Sequence, residues 1–217
     1  GAKQWGLARE HEILRAAAVA ATAPSVPKEI PTLHDFWDRF IEGHCTGNKH
    51  KPSGINAKRY AFRAYLDPLL GHKRLHEISN EDIAHLKAKF VEHAPSTMNN
   101  ILSVLSMVLK VATEWEVTDP ISCRIQLVKV PPSVPKFYDF DEYDRLLAAA
   151  REVDPRIYAM VLLGGDAGLR RGEMVALDRS SLNFHQGLVT IDKAEWRGQV
   201  NATKGMEARV VPMTARL

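Results

Sequence analysis

Cysteine is scarce in this sequence of 217 residues. Cys45 and Cys123 are the two present, and neither has a neighbour at metal-ligand spacing. Disulfide scaffolds and structural zinc sites need several cysteines at short intervals. We therefore exclude both classes and expect two ordinary thiols.

Long apolar runs are also missing. The longest stretch of small, mostly apolar residues, 16–23, is far shorter than the roughly 20 residues that cross a bilayer. With 45% hydrophobic and 25% charged residues, the composition is that of an ordinary globular protein. We expect a cytoplasmic protein with no membrane partner.

Sites for small ligands have little support in the sequence. His72 and His76 are four residues apart, but a third ligand in a supporting position is missing, so we predict no metal site. The glycine-rich residues 164–168 lack both the Lys-Ser/Thr pair and the preceding strand of a phosphate-binding loop. We therefore predict no nucleotide and no cofactor.

Acidic residues are absent between Glu42 and Asp67, where basic residues gather. Such a stripe suits a phosphate backbone, because each contact releases counterions and gives salt-dependent affinity. Charge runs are more often solvated faces, and residues 31–130 as a whole carry 13 Lys and Arg against 11 Asp and Glu. Both interpretations stay open on composition alone. The candidate DNA contacts are Lys49, Lys51, Lys58, Arg59 and Arg63.

Proline divides the chain into parts. Residues 1–30 hold a candidate helix over 5–20 followed by Pro24 and Pro27, which cannot continue it. Residues 31–118 predict four amphipathic helices, which open near Thr32, Ser53, Ser79 and Ser96. Residues 119–136 contain four prolines and form a predicted linker.

Residues 137–217 predict a second, α+β domain. Asp139 and Asp154 are caps for two helices, and the apolar residues 160–163 after the second cap are expected in the core. Residues 188–191 and 208–212 alternate like short antiparallel strands, with residues 201–205 as the turn between them.

A second candidate site lies in this domain. Arg170 stands at the start of a short helix, where its planar guanidinium and the helix terminus can meet the same phosphate. Glu173 is three residues on and could hold the arginine, although a surface ion pair is the common alternative. Lys204 lies in the predicted turn, and Arg171 is a further candidate DNA contact.

The order of motifs resembles the tyrosine recombinases, the phage-integrase class of site-specific DNA recombinases. The resemblance covers nearly everything from residue 31 onward. In the helical part the matching segments are residues 32–36, 65–71, 75–78, 97–101 and 112–115. In the second part they are Ala-Gly-Leu-Arg-Arg-Gly-Glu-Met at 167–174, Thr-Lys-Gly at 203–205 and Arg-Val-Val-Pro at 209–212.

This resemblance implies a mainly α fold. A helical core-binding (SAM-like) domain, residues 31–118, would precede the first part of an α+β catalytic domain with a small antiparallel sheet, residues 137–217. Residues 1–30 would be the closing helix and linker of an arm-type N-terminal domain. The partners implied are double-stranded DNA at a recombination site and other recombinase protomers, in a prokaryotic cell and at the nucleoid when bound.

The resemblance also implies roles for single residues. In this family a tyrosine attacks the scissile phosphate and forms a 3′-phosphotyrosyl intermediate, without metal or nucleotide. Arg170 would bind the nonbridging oxygens, with Glu173 as its support. Lys204 would protonate the leaving 5′-oxygen as a general acid.

The tyrosine nucleophile has no candidate in this chain. The family places a His-x-x-Arg motif, a further His or Trp and the tyrosine after the lysine hairpin. The tyrosines here all precede Arg170, and we expect them in core-like or linker positions: Tyr60, Tyr65, Tyr138, Tyr143 and Tyr158. We therefore predict a chain that is truncated within the catalytic domain and that binds DNA without cleaving it.

Two other classes remain as alternatives. One is a non-catalytic DNA-binding regulator with an integrase-like fold. The other is a helical interaction module with an incidental basic stripe.

Overall fold

The computed structural model describes Arg9, residues 29–203, Gly205 and residues 207–217. The helix predicted over 5–20 and the residue Lys204 lie outside this description. The chain divides into two compact units. Unit 1 runs to His50 and from Gly54 to Val130, and unit 2 comprises Lys51–Ser53 with Pro131–Leu217.

Unit 1 is helical and contains the four predicted helices. The structure divides the second of these, predicted over 53–70, into two helices, and the third, predicted over about 79–93, ends at Lys89. Its elements in chain order are α1 (Leu33–Arg39) with a π-helical continuation (Phe40–Thr46), α2 (Pro52–Ala61) with a π-helical continuation (Phe62–Leu66), α3 (Asp67–Leu70), a 3-10 turn (Leu75–Glu77), α4 (Asn80–Lys89) and α5 (Pro95–Glu114).

Side-chain caps set the helix starts that the sequence predicts. The Thr32 hydroxyl accepts the backbone N–H of Asp35 at 3.1 Å and opens α1. At α4, the Ser79 hydroxyl accepts the N–H of Asp82 at 3.3 Å, while the Asp82 carboxylate accepts the N–H of Ser79 at 2.9 Å. Each cap satisfies N–H groups that have no partner within the helix.

The core of unit 1 forms around α5, where the helical spacing of Ile101, Leu105, Val108, Ala112 and Trp115 predicts a buried stripe. The structure buries this stripe with one exception. Ile101, Leu105, Val108 and Ala112 are at most 1% exposed, whereas Trp115 is 39% exposed. Trp115 follows the last residue of α5, and its ring edge meets Phe36 at a centroid distance of 5.9 Å. A helix end projects past the core, so the end of a periodic stripe is less buried than its middle.

The segment predicted as a linker packs against unit 1 along its first part. Ile121, Cys123, Ile125 and Val128 are partly buried against the core. The Asn99 side chain accepts the N–H of Val128 at 2.7 Å and donates to its carbonyl at 2.9 Å. Residues 129–139 that follow are exposed.

Unit 2 combines helices with antiparallel strands, so the predicted fold class is confirmed. Two predicted strands, now β2 and β5, pair directly, with Val189 opposite Val211. The structure corrects the single turn predicted between them, because a hairpin of two further strands, β3 and β4, occupies that connection. The elements are α6 (Phe140–Val153), α7 (Pro155–Gly165), α8 (Arg171–Val175), a 3-10 turn (Arg179–Ser181), β1 (Leu182–Asn183), β2 (Leu188–Ile191), β3 (Lys193–Trp196), β4 (Gln199–Ala202) and β5 (Arg209–Pro212).

The core of unit 2 is small. It consists of four residues that are buried together: Ala167, Leu169, Val189 and Ile191. The loop before α8 therefore packs on the three-stranded sheet, whose strand order is β1-β2-β5. The expectation that residues 160–163 all lie in the core is wrong for Met160, which is 41% exposed. In the part of the chain that the structure describes, no helix is both long enough and apolar enough to span a membrane.

Gly165 gives a test of packing between α6 and α7. A Cβ placed there would lie 2.3 Å from the Tyr143 hydroxyl, which donates to Asp166 at 2.7 Å. We expect Gly165→Ala to destabilise unit 2 by about 2 kcal/mol, because the ring must leave its hydrogen bond. Hydrogen exchange of α6 and α7 amides in rising urea measures the loss.

Gly54→Ala is the matched control, because a Cβ on Gly54 meets nothing nearer than the Lys58 ammonium at 4.0 Å. Alanine favours a helix over glycine, so this variant should be unchanged or more stable by about 0.5 kcal/mol. Equal stability of the Gly165 variant and the wild type would contradict the packing argument.

Candidate functional site

Arg170 is held at the entrance of α8 by the loop before it. Gly168 has a φ of +63°, a conformation that favours glycine, and lets the chain turn sharply. The next residue, Leu169, is buried and donates its N–H to the Leu163 carbonyl at 3.0 Å. Arg170 follows as the residue before the helix, with its side chain 64% exposed. The buried Leu169 thus fixes the backbone next to Arg170, whose guanidinium is exposed at the start of the helix.

Glu173 lies beneath Arg170 and is 2% exposed. One of its oxygens, Oε2, accepts the backbone N–H of Arg170 at 2.9 Å. The other, Oε1, accepts from Nη1 of Arg170 at 3.0 Å. The alternative of a simple surface ion pair does not describe this contact, because the carboxylate is buried and binds both the backbone and the side chain.

Arg209, on β5, binds the same carboxylate from the other side. Its Nη1 donates to Oε1 of Glu173 at 3.0 Å, and its Nη2 donates to Oε2 at 2.7 Å. This parallel pair is the bidentate geometry in which guanidinium–carboxylate contacts are strongest. We call Arg170, Glu173 and Arg209 the arginine clamp.

Arg209 was not among the site residues that the sequence predicts. Its signal was present in the strand pattern, because Arg209 and Val211 share a face of β5 and Val211 packs on the core of unit 2. A charged residue at an inward position of a strand needs a buried partner. The sequence alone did not say that Glu173, 36 residues earlier, supplies that partner.

The clamp keeps Glu173 ionised. The hydrogen bond from Arg209 is the largest cause that lowers the pKa of Glu173, to about 2, and the contacts from Arg170 add to it against the opposing effect of burial. In return, the carboxylate raises the pKa of Arg209. Two guanidinium cations and one carboxylate leave the clamp with a formal charge of +1, which suits a monoanionic phosphodiester.

The loop that contains Lys204 is closed by the residues around it. Thr203 is buried, and its hydroxyl donates to the Glu207 carbonyl at 2.9 Å. This loop joins β4 to β5, so it lies beyond the extra hairpin and directly before the strand that bears Arg209. Arg171, the first residue of α8, is exposed.

The structure separates the basic residues predicted as DNA contacts in unit 1. Arg59 and Arg63 are exposed on α2 and its continuation, and Lys49 is exposed in the turn before α2, with a φ of +53°. Lys58 is half-buried on another side of the helix, where burial first and then the Lys58 charge lower the pKa of His50. Lys51 is exposed and groups with unit 2.

Two further polar residues share the face of Arg63. Asn56, Tyr60 and Arg63 are exposed and are spaced by four and three residues, which places them on one side of the helix. Tyr60 is 64% exposed and meets Tyr65 edge to face at 5.9 Å. We call Asn56, Arg59, Tyr60 and Arg63 the α2 face. Helical spacing in the sequence could have identified Asn56 and Tyr60, but neither side chain carries the positive charge that predicts a phosphate contact.

The tyrosines occupy varied positions. Tyr60 corrects the expectation of core-like or linker positions, because it lies exposed on a helix surface. Tyr138 is exposed in the segment before α6. Tyr143 donates to Asp166, and burial together with that bond raises the pKa of Tyr143 to about 12. A phenol with so high a pKa is poorly suited to attack as a phenolate.

Known proteins resemble this chain in sequence and in fold. Residues 136–217 match the model of the phage integrase family. The tyrosine recombinase XerA of Thermococcus kodakarensis is 30% identical over 164 residues, which are 75% of this chain and 51% of that protein. The chain therefore spans about half the length of the curated relative it matches.

Solved structures share the fold. An integrase of the Tn1549 transposon, solved in complex with a circular intermediate DNA, superposes with a TM-score of 0.69 at 14% identity, over 86% of this chain and 62% of that one. A lambda integrase tetramer bound to a Holliday junction gives a TM-score of 0.66 at 17% identity, over 91% of this chain and 58% of that one.

The fold is that of the integrases, a helical unit followed by a unit of helices and antiparallel strands. The matched segment contains Arg170, Glu173 and Arg209 in the motif order that the sequence predicts. The chain is a member of the tyrosine recombinase family.

The depressed pKa of Glu173 predicts a pH dependence for unit 2. The carboxylate contributes stability above its unfolded pKa of about 4.5, and this contribution is lost as the pH falls toward the folded value of about 2. Glu173→Gln should lower the stability of unit 2 at pH 7 by about 2 kcal/mol. It should also reduce the further loss of stability that occurs as the pH falls from 5 to 2. Urea midpoints followed by hydrogen exchange of β2 and β5 measure both effects.

Glu152→Gln on the exposed surface of α6 is the control, and it should lose stability between pH 5 and 2 to the same extent as the wild type. If the Glu173 variant also lost stability over this range as the wild type does, the ionised carboxylate would not be a source of the pH dependence.

Proposed function

We propose that this chain is part of a site-specific DNA recombinase and that it binds double-stranded DNA, with the arginine clamp on the phosphodiester. The buried Glu173 carboxylate, which holds Arg170 exposed at a helix start, is the observation that carries the proposal. Family membership supports it. The related Tn1549 and lambda integrases, which were solved with DNA, support the partner.

Arg170 would contact the nonbridging oxygens of the scissile phosphate. Its planar fork offers parallel donors, and a cation there would stabilise the charge that grows in the pentacoordinate transition state. Glu173 sets the direction of this fork by accepting both the backbone N–H and Nη1 of Arg170. Lys204 would act as the general acid toward the leaving 5′-oxygen.

The α2 face would supply affinity and part of the selectivity of unit 1. Arg59 and Arg63 suit phosphate oxygens, with Lys49 as a further cation. Asn56 lies on the same side of the helix as Arg63 and has the amide that pairs with an adenine edge in the major groove. Lys58 contributes less in this proposal, because it is half-buried on another side of the helix. Arg171 would contact DNA from unit 2. Lys51 would contribute less, because its ammonium donates to the carbonyls of Ala202 at 3.1 Å and Thr203 at 2.8 Å.

The complete reaction needs a tyrosine, and we propose that these 217 residues bind DNA without cleaving it. The Tyr143 hydroxyl donates to Asp166, and the pKa of Tyr143 is raised to about 12, so this phenol is poorly suited to be the nucleophile. Further protomers of the recombinase are proposed partners, in line with the tetramer of the lambda integrase.

The α2 face predicts salt-dependent DNA affinity. Arg59→Ala combined with Arg63→Ala should weaken binding to duplex DNA by about 10- to 100-fold and reduce the slope of log affinity against log salt by about 2. Fluorescence anisotropy with a labelled duplex between 50 and 300 mM salt measures both quantities.

Lys89→Ala combined with Lys110→Ala removes the same charge from other exposed positions of unit 1 and serves as the control. This control should keep most of the affinity. Affinity that did not change with salt would favour the helical interaction module over either DNA-binding interpretation.

A nicked suicide duplex tests the absence of cleavage. Duplexes enriched from a random pool by binding to the chain would carry a single nick at successive positions. We expect no covalent protein–DNA band on a denaturing gel, while a complete tyrosine recombinase on its own nicked site gives one. A covalent band that a single Tyr→Phe change removed would overturn the proposal and identify the nucleophile.

A further inference from the structure

We propose that Arg209 is a positioning residue, which occupies the Glu173 carboxylate so that the Arg170 guanidinium stays exposed and available to an anion. The inference deepens the proposed function and rests on it for the identity of that anion, a phosphodiester. It adds to the site a residue whose effect on the phosphate passes through Glu173 and Arg170.

The hydrogen bonds of the Glu173 carboxylate are saturated. An ionised carboxylate has about four acceptor positions, two on each oxygen. Glu173 uses four: Oε1 accepts from Nη1 of Arg170 and Nη1 of Arg209, and Oε2 accepts from the Arg170 backbone and Nη2 of Arg209. Arg209 fills half of these positions, and the carboxylate has no acceptor position left for a second donor from the Arg170 side chain.

The two guanidinium groups of the clamp differ in how many of their donors bind Glu173. Arg209 commits both Nη atoms to Glu173, and its side chain is 36% exposed. Arg170 commits Nη1 and is 64% exposed. Across the described residues, Glu173 is the only side chain that binds the Arg170 guanidinium. The arginine that faces an incoming anion is therefore Arg170, and Arg209 faces the carboxylate.

Removal of Arg209 would leave two acceptor positions of a buried carboxylate empty, which is costly for an ionised group. Arg170 already binds this carboxylate through Nη1, and its fork can turn and bind Glu173 through two atoms. Arg170 would then be neutralised by its own support, and fewer of its donors would reach a phosphate.

Charge and position can be separated by two conservative variants. Arg209→Lys keeps the clamp at +1 but replaces the bidentate fork with a single ammonium. Glu173→Gln raises the formal charge of the clamp to +2 and removes the support. If charge alone mattered, the lysine variant would bind DNA like the wild type, and the glutamine variant would bind more tightly.

The positioning role predicts the opposite in both variants. In a binding assay with the enriched duplex, Arg170→Ala should weaken affinity about 10-fold, and Arg209→Lys and Glu173→Gln should each weaken it about 3- to 10-fold. Combining Arg170→Ala with Arg209→Lys should cost no more than Arg170→Ala alone, because Arg209 acts through Arg170. Additive losses, or wild-type affinity in the lysine variant, would overturn the proposal.

A second measurement does not depend on DNA and covers the case in which Arg170→Ala has no effect. Side-chain NMR of ¹⁵N-arginine follows the Nη protons of Arg170 in the free chain. Arg209→Lys should slow their exchange and rotation, because a second bond to Glu173 forms. Unchanged Arg170 signals would refute the positioning role, whereas changed signals with no effect of Arg170→Ala on affinity would refute only the assignment of the phosphate.

Folding is checked in the same samples. A variant is compared when its β2 and β5 amides remain protected without urea at the pH of the binding assay, even if its urea midpoint is lower than that of the wild type. If Arg209→Lys lost that protection, Glu173→Gln with intact protection would be the variant that decides. A charge effect predicts that Glu173→Gln binds DNA more tightly than the wild type, and a positioning effect predicts that it binds more weakly. Weaker binding supports the positioning role, and tighter binding contradicts it.

Discussion

One buried carboxylate organises the candidate site. Glu173 is enclosed in unit 2, yet it remains ionised because two guanidinium groups and a backbone N–H complete its hydrogen bonds. Through these bonds it connects the start of α8 to β5, which are far apart in the sequence. Without that carboxylate, nothing in the described chain would hold the Arg170 side chain in its exposed position or accept the inward charge of Arg209.

The surrounding fold supplies what this cluster needs. Leu169 is buried beside Val189 and Ile191, so the residue before Arg170 is fixed to the sheet. Pairing of β2 with β5 sets the position of Arg209 along the strand, through the register of Ile191 opposite Arg209. The hairpin of β3 and β4 approaches α8 closely at Gly172, where a Cβ would lie 2.9 Å from the Glu195 carbonyl. The clamp is therefore a product of packing on several elements, and no single motif contains it.

Local signals in the sequence accounted for most of the secondary structure. Thr32, Ser79 and Asp139 cap their helices as their types and spacing predict, because a cap depends on residues within one turn. The errors have physical causes as well. Trp115 is at a helix end, and Met160 is on the outer side of α7. The strands of the β3–β4 hairpin alternate between polar and apolar residues but are only four residues long, and the Arg-Gly turn between them is not one of the Asn-Gly or Asp-Gly pairs that most strongly indicate a hairpin. Similarly, the basic stripe is continuous in sequence but divided by the helical turn of α2, which directs Lys58 away from Arg59.

By itself the sequence determined the class of fold, the family and the identity of Arg170 and Glu173 as partners, because these depend on short-range spacing and on the order of motifs along the chain. The tertiary structure alone decided that Arg209 completes the clamp and that Glu173 is buried. It also decided that Asn56 and Tyr60 share a surface with Arg63. Burial and hydrogen-bond saturation are properties of groups brought together by folding, and residues 36 positions apart carry no local pattern that reveals a shared carboxylate.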